Sequence, residues 1–353
     1  GGILLSWQVE EAETGSVRFA ELRGGEWSRP RTIVSRDDLF VNWADYPSVV
    51  SLGGDGLAAH WLQHNGPGTY AYQVMLSFSG DGGVTWSPPL VPHETRTETE
   101  HGFVTLVPGD GALTVVWLDG RAYEVGPGEE MSLRAAALAV PWSAGPPTDE
   151  IVLDARTCDC CQTSAVRVPG GLVVAYRGRS DAEIRDVEVV REVDGAWTEP
   201  ARVHADGWRI DACPVNGPAL AAVGDTVLAA WFTAAGDSAH VLAALSPDGG
   251  ATFGPPLRID DGGGLGRVAA LPLDDGRFAV AWLERRGDAG AEIRVRTVDV
   301  AGRTSRSVSA GGASPARASG FPSLALDPAS GDLLVAWTDA GAGRVRIARG
   351  PVH

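Results

Sequence analysis

The sequence contains no lysine, so all 29 of its basic residues are arginine. This excludes chemistry that needs a lysine amine, namely Schiff-base formation and phosphate loops built on Gly-Lys-Ser/Thr. No uninterrupted apolar run reaches about 18 residues, so no membrane-spanning helix is predicted. The net charge is −16, whereas nucleic acids and anionic membranes bind basic surfaces. We therefore expect neither a nucleic-acid partner nor a membrane span.

A helical period of apolar residues is also missing, whereas glycine (46 residues) and proline (23) are abundant, as turn-rich β structure requires. What is present is a short apolar phrase that ends in an aromatic residue and recurs every 51 to 59 residues. Its seven copies are Leu4–Trp7, Ala58–Trp61, Thr114–Trp117, Val173–Tyr176, Leu228–Trp231, Ala279–Trp282 and Leu334–Trp337. A fixed period of this size indicates one supersecondary unit that is stacked repeatedly.

Each repeat predicts four short antiparallel strands, called A to D. In the second repeat these are Tyr46–Leu52, Leu57–Leu62, Tyr72–Phe78 and Thr85–Val91, because alternating apolar residues are bounded by Gly, Asp and Pro clusters. The sequence therefore predicts an all-β fold, a β-propeller of four-stranded blades that forms one domain over residues 1–353. Seven blades are predicted and six are the alternative. The first repeat lacks strand A and the last lacks strand D, so we expect that N-terminal closing strands were trimmed.

The lengths of the turns predict which end of the blades carries the functional loops. The A-to-B turns are tight, whereas the B-to-C links 119–130 and 178–186 are long. In an up-and-down blade, the long links share one end with the segments that lead into the A strands. Those segments include residues 42–47, 100–103, 158–163 and 211–218. We expect acids, arginines, thiols and a histidine to converge at one mouth, which is the default position for a binding site.

Two C-to-D turns share the pattern Ser-x-Asp-x-Gly-x-Thr-aromatic, at Ser79–Trp86 and Ser246–Phe253. This pattern resembles the Asp-box, or BNR repeat, of the sialidase (neuraminidase) superfamily of β-propellers. The local role expected of it is structural, because the Asp carboxylate accepts N–H bonds of the turn and the aromatic packs between blades. The resemblance implies a glycoside hydrolase if the protein is an enzyme.

Sialidases hold a substrate carboxylate with an arginine triad, and the resemblance assigns such a role to Arg121, Arg177, Arg179 and Arg185. Guanidinium groups pair bidentately with carboxylates. The alternative is that these arginines form ion pairs with Asp119, Glu183 and Asp186 in the same loops. The Arg-Ile-Pro start of sialidases is absent, and Asn42–Pro47 stands where it is expected. Trp43 and Asn216 complete the predicted substrate contacts.

Glycoside cleavage needs two carboxyl groups, for which the candidates are Asp45, Asp119 and Glu183. Tyr46 is the candidate nucleophile. Tyr176 is an alternative, but it occupies the aromatic position of the repeat, which favours a place in the core. These residues predict a glycan or small anionic ligand bound by a monomer.

All four cysteines fall within 56 residues, at Cys158, Cys160, Cys161 and Cys213. One possibility is a disulfide from Cys213 to one of the other three, and four cysteines allow three complete pairings. Another is a soft metal ion such as copper or zinc, with His101 as a further ligand. Unpaired thiols are the third. One ion can take both Cys160 and Cys161 only if the segment turns, since adjacent side chains of an extended strand point apart.

Three segments, Cys158–Thr163, Glu183–Asp186 and Cys213–Pro218, are similar to motifs of a bacterial group known as exo-α-sialidase-like. The similarity implies a periplasmic or secreted protein. Three functions therefore compete. They are a glycan hydrolase or binder, a metal-binding or redox protein of the cell envelope, and a non-catalytic interaction scaffold.

Overall fold

A computed structural model describes residues 2–126, 130–140, 148–287 and 290–352. The chain divides into two compact units, Gly1–Asp159 and Cys160–His353. Nearly all regular structure is β-strand, and the helices found in the described chain are two short 3-10 turns, Arg121–Glu124 and Ala235–Asp237. Neither turn has the length or apolar character that a membrane-crossing helix requires.

The first unit contains eleven strands in the described residues. They are β1 (Ile3–Glu11), β2 (Thr14–Arg23), β3 (Glu26–Trp27), β4 (Arg31–Arg36), β5 (Ser48–Gly53), β6 (Gly56–His64), β7 (Tyr72–Ser79), β8 (His101–Gly109), β9 (Ala112–Asp119), β10 (Met131–Ala139) and β11 (Thr148–Thr157). They form three antiparallel sheets. The first pairs β2 with β1, β3 and β4, the second has the order β5-β6-β7, and the third has the order β8-β9-β10-β11.

The second unit contains the remaining strands. They are β12 (Ser164–Val168), β13 (Gly171–Arg177), β14 (Val187–Val193), β15 (Ala196–Trp197), β16 (Ala201–Arg202), β17 (Ala219–Val223), β18 (Thr226–Thr233), β19 (His240–Ser246), β20 (Leu257–Arg258), β21 (Gly264–Pro272), β22 (Phe278–Arg286), β23 (Gly290–Val298), β24 (Val308–Ala313), β25 (Gly320–Leu326), β26 (Leu333–Asp339) and β27 (Arg344–Gly350). Four antiparallel sheets result, β12-β13-β14 with β15 and β16, β17-β18-β19-β20, β21-β22-β23-β24, and β25-β26-β27.

These seven sheets are the blades of a seven-bladed β-propeller, so the predicted fold class and blade number are confirmed. Every copy of the repeated phrase lies in a B strand, from Leu4–Trp7 in β1 to Leu334–Trp337 in β26. The first and last sheets also have the ends that the sequence predicts within the described residues. The first sheet begins at strand B and the last ends at strand C.

The repeated phrase is apolar because B strands have a hydrogen-bonded strand on at least one side and packed sheet faces above and below. Trp117, Trp231 and Trp282 are fully buried or nearly so. Within the second unit, Phe278 and Trp282 of β22 pack against Ile259 and Leu228 of the preceding sheet. Apolar residues of consecutive sheets therefore share one core, which fixes the faces that β22 presents.

One predicted strand differs from the structure. Thr85–Val91 was expected to form strand D of the second blade, but it contributes only a single bridge between Leu90 and Leu76. Pro88 and Pro89 precede that bridge, and proline has no N–H to donate to a ladder. The outer segment therefore covers β7 with few hydrogen bonds.

The two Ser-x-Asp turns have the local role that the sequence predicts. Asp81 accepts hydrogen bonds from the backbone N–H of Thr85 at 2.9 Å and from its hydroxyl at 2.6 Å. These donors hold the pKa of the Asp81 carboxyl well below its usual range. Trp86 then packs edge-on against Phe19 of the first sheet, with ring centroids 5.9 Å apart. The turn thus joins neighbouring blades of the first unit.

Candidate functional site

Asp45 lies in a loop whose conformation is stabilised by the side chain of Asn42. The side-chain oxygen of Asn42 accepts the backbone N–H groups of Ala44 at 2.8 Å and of Asp45 at 3.3 Å, which is the geometry of an Asx turn. The predicted substrate contact Trp43 and the candidate nucleophile Tyr46 are each 39% exposed, whereas Asp45 is 3% exposed. The loop therefore presents two aromatic rings beside a buried carboxyl group.

The Asp45 carboxyl group contacts the next blade of the first unit. Its Oδ2 accepts the backbone N–H of Phe103 at 2.8 Å and the hydroxyl of Tyr72 at 3.2 Å. Glycine is needed at position 102, because a Cβ there would lie 2.0 Å from Oδ2. Burial raises the pKa of Asp45 to about 7, although both hydrogen bonds oppose that shift. Asp45 can therefore hold or release a proton near neutral pH.

Glu100 is a second carboxylate beside Asp45. The hydroxyl of Tyr72 lies 2.8 Å from Glu100 Oε1 and 3.2 Å from Asp45 Oδ2, so the two carboxylate oxygens are at most about 6 Å apart. Tyr72 itself is 1% exposed and stacks on Phe40. Burial and the two carboxylates raise its pKa. Tyr72 therefore bridges the two acids and is not an activated nucleophile.

Asp119 lies in the same unit as Asp45, but one of its hydrogen-bond donors is charged. It is fully buried and accepts two bonds from Arg121, Nε at 2.7 Å and Nη2 at 2.6 Å, and one from Trp117 Nε1 at 2.8 Å. Burial alone would raise its pKa, but these donors outweigh burial and lower it to about 2. Arg121 also pairs with Glu150 at 2.7 Å. Asp119 is therefore an ionised partner of Arg121.

The clusters around Asp45 and Asp119 adjoin each other. The backbone N–H of Gly120 donates to the carbonyl of Glu100 at 2.8 Å, and His101 follows Glu100 directly. His101 Nε2 lies 3.6 Å from Asp119, and its Nδ1 lies 2.9 Å from the carbonyl of Thr99. Burial lowers the pKa of His101. The loop end of the second and third blades therefore gathers Asp45, Glu100, His101, Asp119 and Arg121.

In the second unit, Arg177 is 1% exposed, and each of its three guanidinium nitrogens donates to a backbone carbonyl. Nε and Nη2 donate to the carbonyl of Asn216 at 3.0 and 2.7 Å, and Nη2 also donates to that of Phe232 at 2.8 Å. Its guanidinium lies over the ring of Trp208, 4.9 Å from the centroid. This geometry makes Arg177 a structural tie between loops. Tyr176 is also 1% exposed, as the core alternative predicts.

Arg179 and Arg185 form the predicted ion pairs with Glu183, with Nη2 atoms 2.9 and 2.7 Å from its carboxylate oxygens. Their hydrogen bonds lower the pKa of Glu183, so Glu183 is ionised at neutral pH. Arg179 and Glu183 are part exposed, whereas Arg185 is buried. Asp186 instead accepts backbone N–H groups of Gly207 and Trp208. Of these residues, Arg179 presents the more accessible guanidinium.

Asn216 is 6% exposed and occupies the same place in its repeat as Asp45. Its Oδ1 accepts the backbone N–H of Arg267 at 2.8 Å, and a Cβ at Gly266 would lie 2.2 Å from that oxygen. Arg267 has a positive φ of 56° and Phe103 one of 52°. The same contact between neighbouring blades thus occurs in both units, with an amide in one and a carboxyl group in the other.

Three of the cysteines, Cys160, Cys161 and Cys213, lie in the second unit. The Sγ of Cys160 is within 4.8 Å of the Sγ of Cys161 and, separately, within 4.8 Å of that of Cys213. The segment turns at Cys160, which is the condition that allows adjacent thiols to face one ion. Cys160 and Cys161 are buried and Cys213 is exposed. Cys158 is buried at the end of the first unit.

Three residues of these clusters were not among the sequence candidates, namely Tyr72, Glu100 and Arg267. Tyr72 belongs to strand C, where an aromatic residue predicts core. Glu100 has a signal that could have found it, because it directly precedes His101 at the start of an A strand. Arg267 follows a glycine at the equivalent point of a later blade.

Comparison with known proteins gives matches in structure alone. No protein-family model matches the chain, and no curated protein matches it. The polysaccharide lyase Uly1 is 9% identical with a TM-score of 0.56, over 99% of this chain and 87% of that one. The intramolecular trans-sialidase from Ruminococcus gnavus is 10% identical with a TM-score of 0.52, over 87% and 94%.

The Hadza microbial sialidase Hz136 is 17% identical with a TM-score of 0.49 over 80% of this chain, which spans 60% of the length of that protein. Identities this low show a shared fold and not a shared reaction. The chain therefore shares its β-propeller fold with structures that include a trans-sialidase and a polysaccharide lyase.

Proposed function

We propose that the protein is a periplasmic or secreted glycan-cleaving β-propeller with Asp45 as its proton donor. The observation that carries this proposal is a buried carboxyl group whose pKa is raised to about 7, with a second carboxylate, Glu100, on the same phenol. A raised pKa is what a general acid needs in order to be protonated near neutral pH. Two carboxyl groups at this spacing suit glycoside cleavage.

The hydrogen bonds favour Asp45 over Glu100 as the donor. A phenol carries one proton, and the shorter contact of Tyr72 is the one to Glu100. Tyr72 therefore donates mainly to Glu100, and its hydrogen bond to the ionised form of Asp45 is the weaker one. Glu100 is then the second carboxyl group that glycoside cleavage requires beside the acid. Asp119 is a poorer acid, because Arg121 keeps it ionised.

The neighbouring side chains suit a sugar ligand. Trp43 and Tyr46 are exposed aromatic rings on either side of Asp45 in the chain, and aromatic faces give broad apolar contact to sugar rings. Arg121 is part exposed next to this cluster, and a guanidinium can take a sugar carboxylate bidentately. In the second unit, Arg179 has the same chemistry. We therefore propose an anionic glycan, with a sialyl or uronyl group, as the preferred substrate.

The test is hydrolysis of a panel of sialyl, uronyl and neutral fluorogenic glycosides by the full chain. We expect cleavage of an anionic member, with kcat falling as pH rises through about 7 because Asp45 loses its proton. Asp45→Asn cannot donate a proton and should lower kcat at least about 100-fold. Asp275→Asn is the matched control, since Asp275 is an exposed hairpin acid paired with Arg277.

Two results would contradict the proposal. One is the absence of both turnover and calorimetric binding across the panel. The other is turnover that Asp45→Asn leaves unchanged while its pH profile also stays the same. Glu100→Gln should lower kcat without removing the fall at high pH, because the titrating donor is retained.

A second function, binding of a thiolate-preferring metal ion, is favoured by the sulfur geometry of the second unit. Zinc–sulfur bonds of about 2.3 Å place the sulfurs of a tetrahedral site roughly 3.8 Å apart. The separations of Cys160 from Cys161 and from Cys213 are compatible with this spacing. Sulfur donors select copper(I) or zinc over hard cations. Such an ion would fasten the loop of Cys213 to the turn at Cys160.

Metal analysis of protein purified under reducing conditions, together with a thiol count, tests this function. We expect about one equivalent of zinc or copper in the protein, and its loss in Cys160→Ser/Cys213→Ser. Ser238→Ala, in the loop between β18 and β19, serves as the control and should retain the metal. A metal-free protein that loses two titratable thiols on oxidation would indicate a disulfide instead and overturn the assignment.

A further inference from the structure

Two buried histidines of the first unit have no role in the proposed reaction. His93 lies before β8 and His101 is the first residue of that strand, and they are 2% and 0% exposed. Their rings stack face to face, with centroids 4.3 Å apart and planes inclined by 14°. The stack fixes the plane of the His101 ring and therefore the direction in which its Nδ1 points.

The Nδ1 atom of His101 lies 2.9 Å from the carbonyl oxygen of Thr99 and 3.3 Å from that of Tyr72. A carbonyl oxygen only accepts hydrogen bonds, so Nδ1 carries a proton and donates to this pair. Both carbonyls lie beside the parallel bridge that joins Tyr72 of β7 to Glu100. The backbone N–H of Tyr72 also donates to the carbonyl of Thr99, at 3.3 Å. The imidazole of His101 therefore ties Tyr72 to the segment that carries Glu100.

Tyr72 contacts this segment with its side chain as well as with its backbone. Its hydroxyl donates to Glu100 Oε1 at 2.8 Å, and the carbonyl of Glu100 accepts the backbone N–H of Gly120 at 2.8 Å. The backbone around Glu100 is thus held on both sides. A carboxylate on a backbone held in this way has a fixed place on the phenol, and therefore a fixed separation from Asp45.

The second unit shows that a blade forms without this tie. Gly102 and Gly266 occupy equivalent positions, since each lies against the side-chain oxygen of the residue that reaches across from the preceding blade. Residues 100–101, before Gly102, are Glu-His, whereas residues 264–265, before Gly266, are Gly-Leu. The strand that begins there, β21, still pairs with β22. The acid and the imidazole of the first unit are therefore not demanded by the architecture of the blade.

We propose that His101 is a positioning residue, whose Nδ1–H holds the start of β8 on Tyr72 and so keeps Glu100 in place beside Asp45. The catalytic meaning of this role rests on the proposed glycan cleavage, in which Glu100 is the second carboxyl group. The stacked ring of His93 keeps the imidazole of His101 in its plane. His101 is fully buried and acts through Glu100, so its replacement should lower kcat and leave KM nearly unchanged.

Two substitutions of His101 separate its donor from its ring. The side-chain nitrogen of asparagine takes nearly the place of Nδ1, whereas that of glutamine takes the place of Nε2, and both variants lose the stacked ring. We expect His101→Asn to retain most of kcat and His101→Gln to lose about tenfold, because a displaced catalytic group reacts more slowly. His240→Gln, at the part-exposed start of β19, is the control and should keep the kcat of wild type.

Carboxyl-carbon NMR titration of Asp45 reports the position of Glu100 without turnover. If Glu100 leaves the phenol, Tyr72 donates to Asp45 alone and favours its ionised form. The pKa of Asp45 should then fall by roughly half a unit or more, in His101→Gln but not in His101→Asn. The same pattern in a protein that cleaves no glycoside would keep the positioning role and reject the proposed function.

A double-mutant cycle tests whether His101 acts through Glu100. In the background of Glu100→Gln, His101→Gln should cause little further loss of kcat. Three results would overturn the proposal. They are an equal loss of kcat in the asparagine and glutamine variants, an undiminished loss in the Glu100→Gln background, and an unchanged pKa of Asp45 in folded His101→Gln.

Thermal unfolding shows whether each variant is folded at the temperature of the assay. If His101→Gln is not, His93→Leu takes its place, because it removes the stacked ring and keeps the imidazole of His101. It should lower kcat and the pKa of Asp45 in the same directions but by smaller amounts. A folded His93→Leu that changes neither quantity would then overturn the proposal.

Discussion

Asp45 in the first unit and Asn216 in the second perform the same structural task with different chemistry. Each side-chain oxygen accepts the N–H of a residue with positive φ in the next blade, at 2.8 Å in both cases. Each lies against a glycine that cannot carry a Cβ. Asn216 shows that a neutral amide satisfies this contact. The contact between blades therefore does not require a carboxyl group at position 45.

The surroundings of the two residues sharpen the contrast. The backbone carbonyl of Asn216 accepts two hydrogen bonds from Arg177. A cation therefore lies close to residue 216. Asp45 has Tyr72 and the backbone of Phe103 as hydrogen-bond donors, and neither carries a charge. Burial without a cation raises the pKa of Asp45 to about 7. A carboxyl group that is buried without a cation as its hydrogen-bond donor costs stability when it ionises, which is typical of functional rather than structural positions.

The largest expected effect is on the pH dependence of stability. The pKa of Asp45 is about 7 in the folded protein against 3.8 as its ordinary value. Its contribution is therefore complete below about pH 4 and is lost as pH rises through 7, by up to about 4 kcal/mol. Asp45→Asn should abolish this loss. The measurement is the free energy of unfolding in urea between pH 4 and 8, taken as the difference between wild type and variant.

Asp38→Asn is the control for that series, because Asp38 is a part-exposed acid paired with Arg36. Hydrogen bonding to Arg36 lowers the pKa of Asp38, so its stabilising contribution is present above pH 4 and is lost as pH falls. Between pH 4 and 8 the Asp38→Asn difference should thus stay nearly flat, whereas the Asp45→Asn difference should change with pH. Equal slopes would contradict the assignment of a neutral Asp45.

Much of the fold could be predicted from the sequence because its determinants are local. The apolar phrase from Leu4–Trp7 to Leu334–Trp337 marks every B strand, and Gly and Asp mark the turns. Strand D of the second blade was predicted wrongly in its pairing, since Pro88 and Pro89 shorten a ladder that their apolar neighbours favour. The loss of strand pairing at a proline depends on whether its missing N–H would have faced the adjacent strand. The spacing of residues in the sequence does not specify which N–H groups face that strand.

The candidate site was predicted less completely, because its contacts join distant segments. The loop around Asp45 was predicted from its composition, but the bridge through Tyr72 to Glu100 depends on how β7 meets the start of β8. Arg177 and Arg179 are equivalent in the sequence, two residues apart in one loop. The structure engages Arg177 with backbone carbonyls and leaves Arg179 part exposed, a difference that only packing determines.

A smaller effect is expected from the reciprocal change, Asn216→Asp. It places a buried carboxyl group in the second unit and should also make stability fall with rising pH. The guanidinium of Arg177 next to residue 216 favours the ionised form, so the loss should stay below about 2 kcal/mol. Urea unfolding over the same pH range measures it. A loss as large as that of Asp45 would show that the neighbouring cation is irrelevant and would weaken the comparison.

The smallest effect is expected from removing the hydroxyl of Tyr72, which lies between the carboxyl groups of Asp45 and Glu100. Tyr72→Phe removes a donor from Asp45 and Glu100, so the ionised form of Asp45 loses a hydrogen bond and faces Glu100 directly. The pKa of Asp45 should rise further, at a cost of about 1 kcal/mol to the ionised protein. Carboxyl-carbon NMR titration of Asp45 measures the pKa. Tyr70→Phe is the matched control, because Tyr70 is 60% exposed. A pKa that falls in Tyr72→Phe would mean that the phenol oxygen accepts the proton of Asp45 and stabilises its protonated form, which would contradict Tyr72 as a hydrogen-bond donor to Asp45.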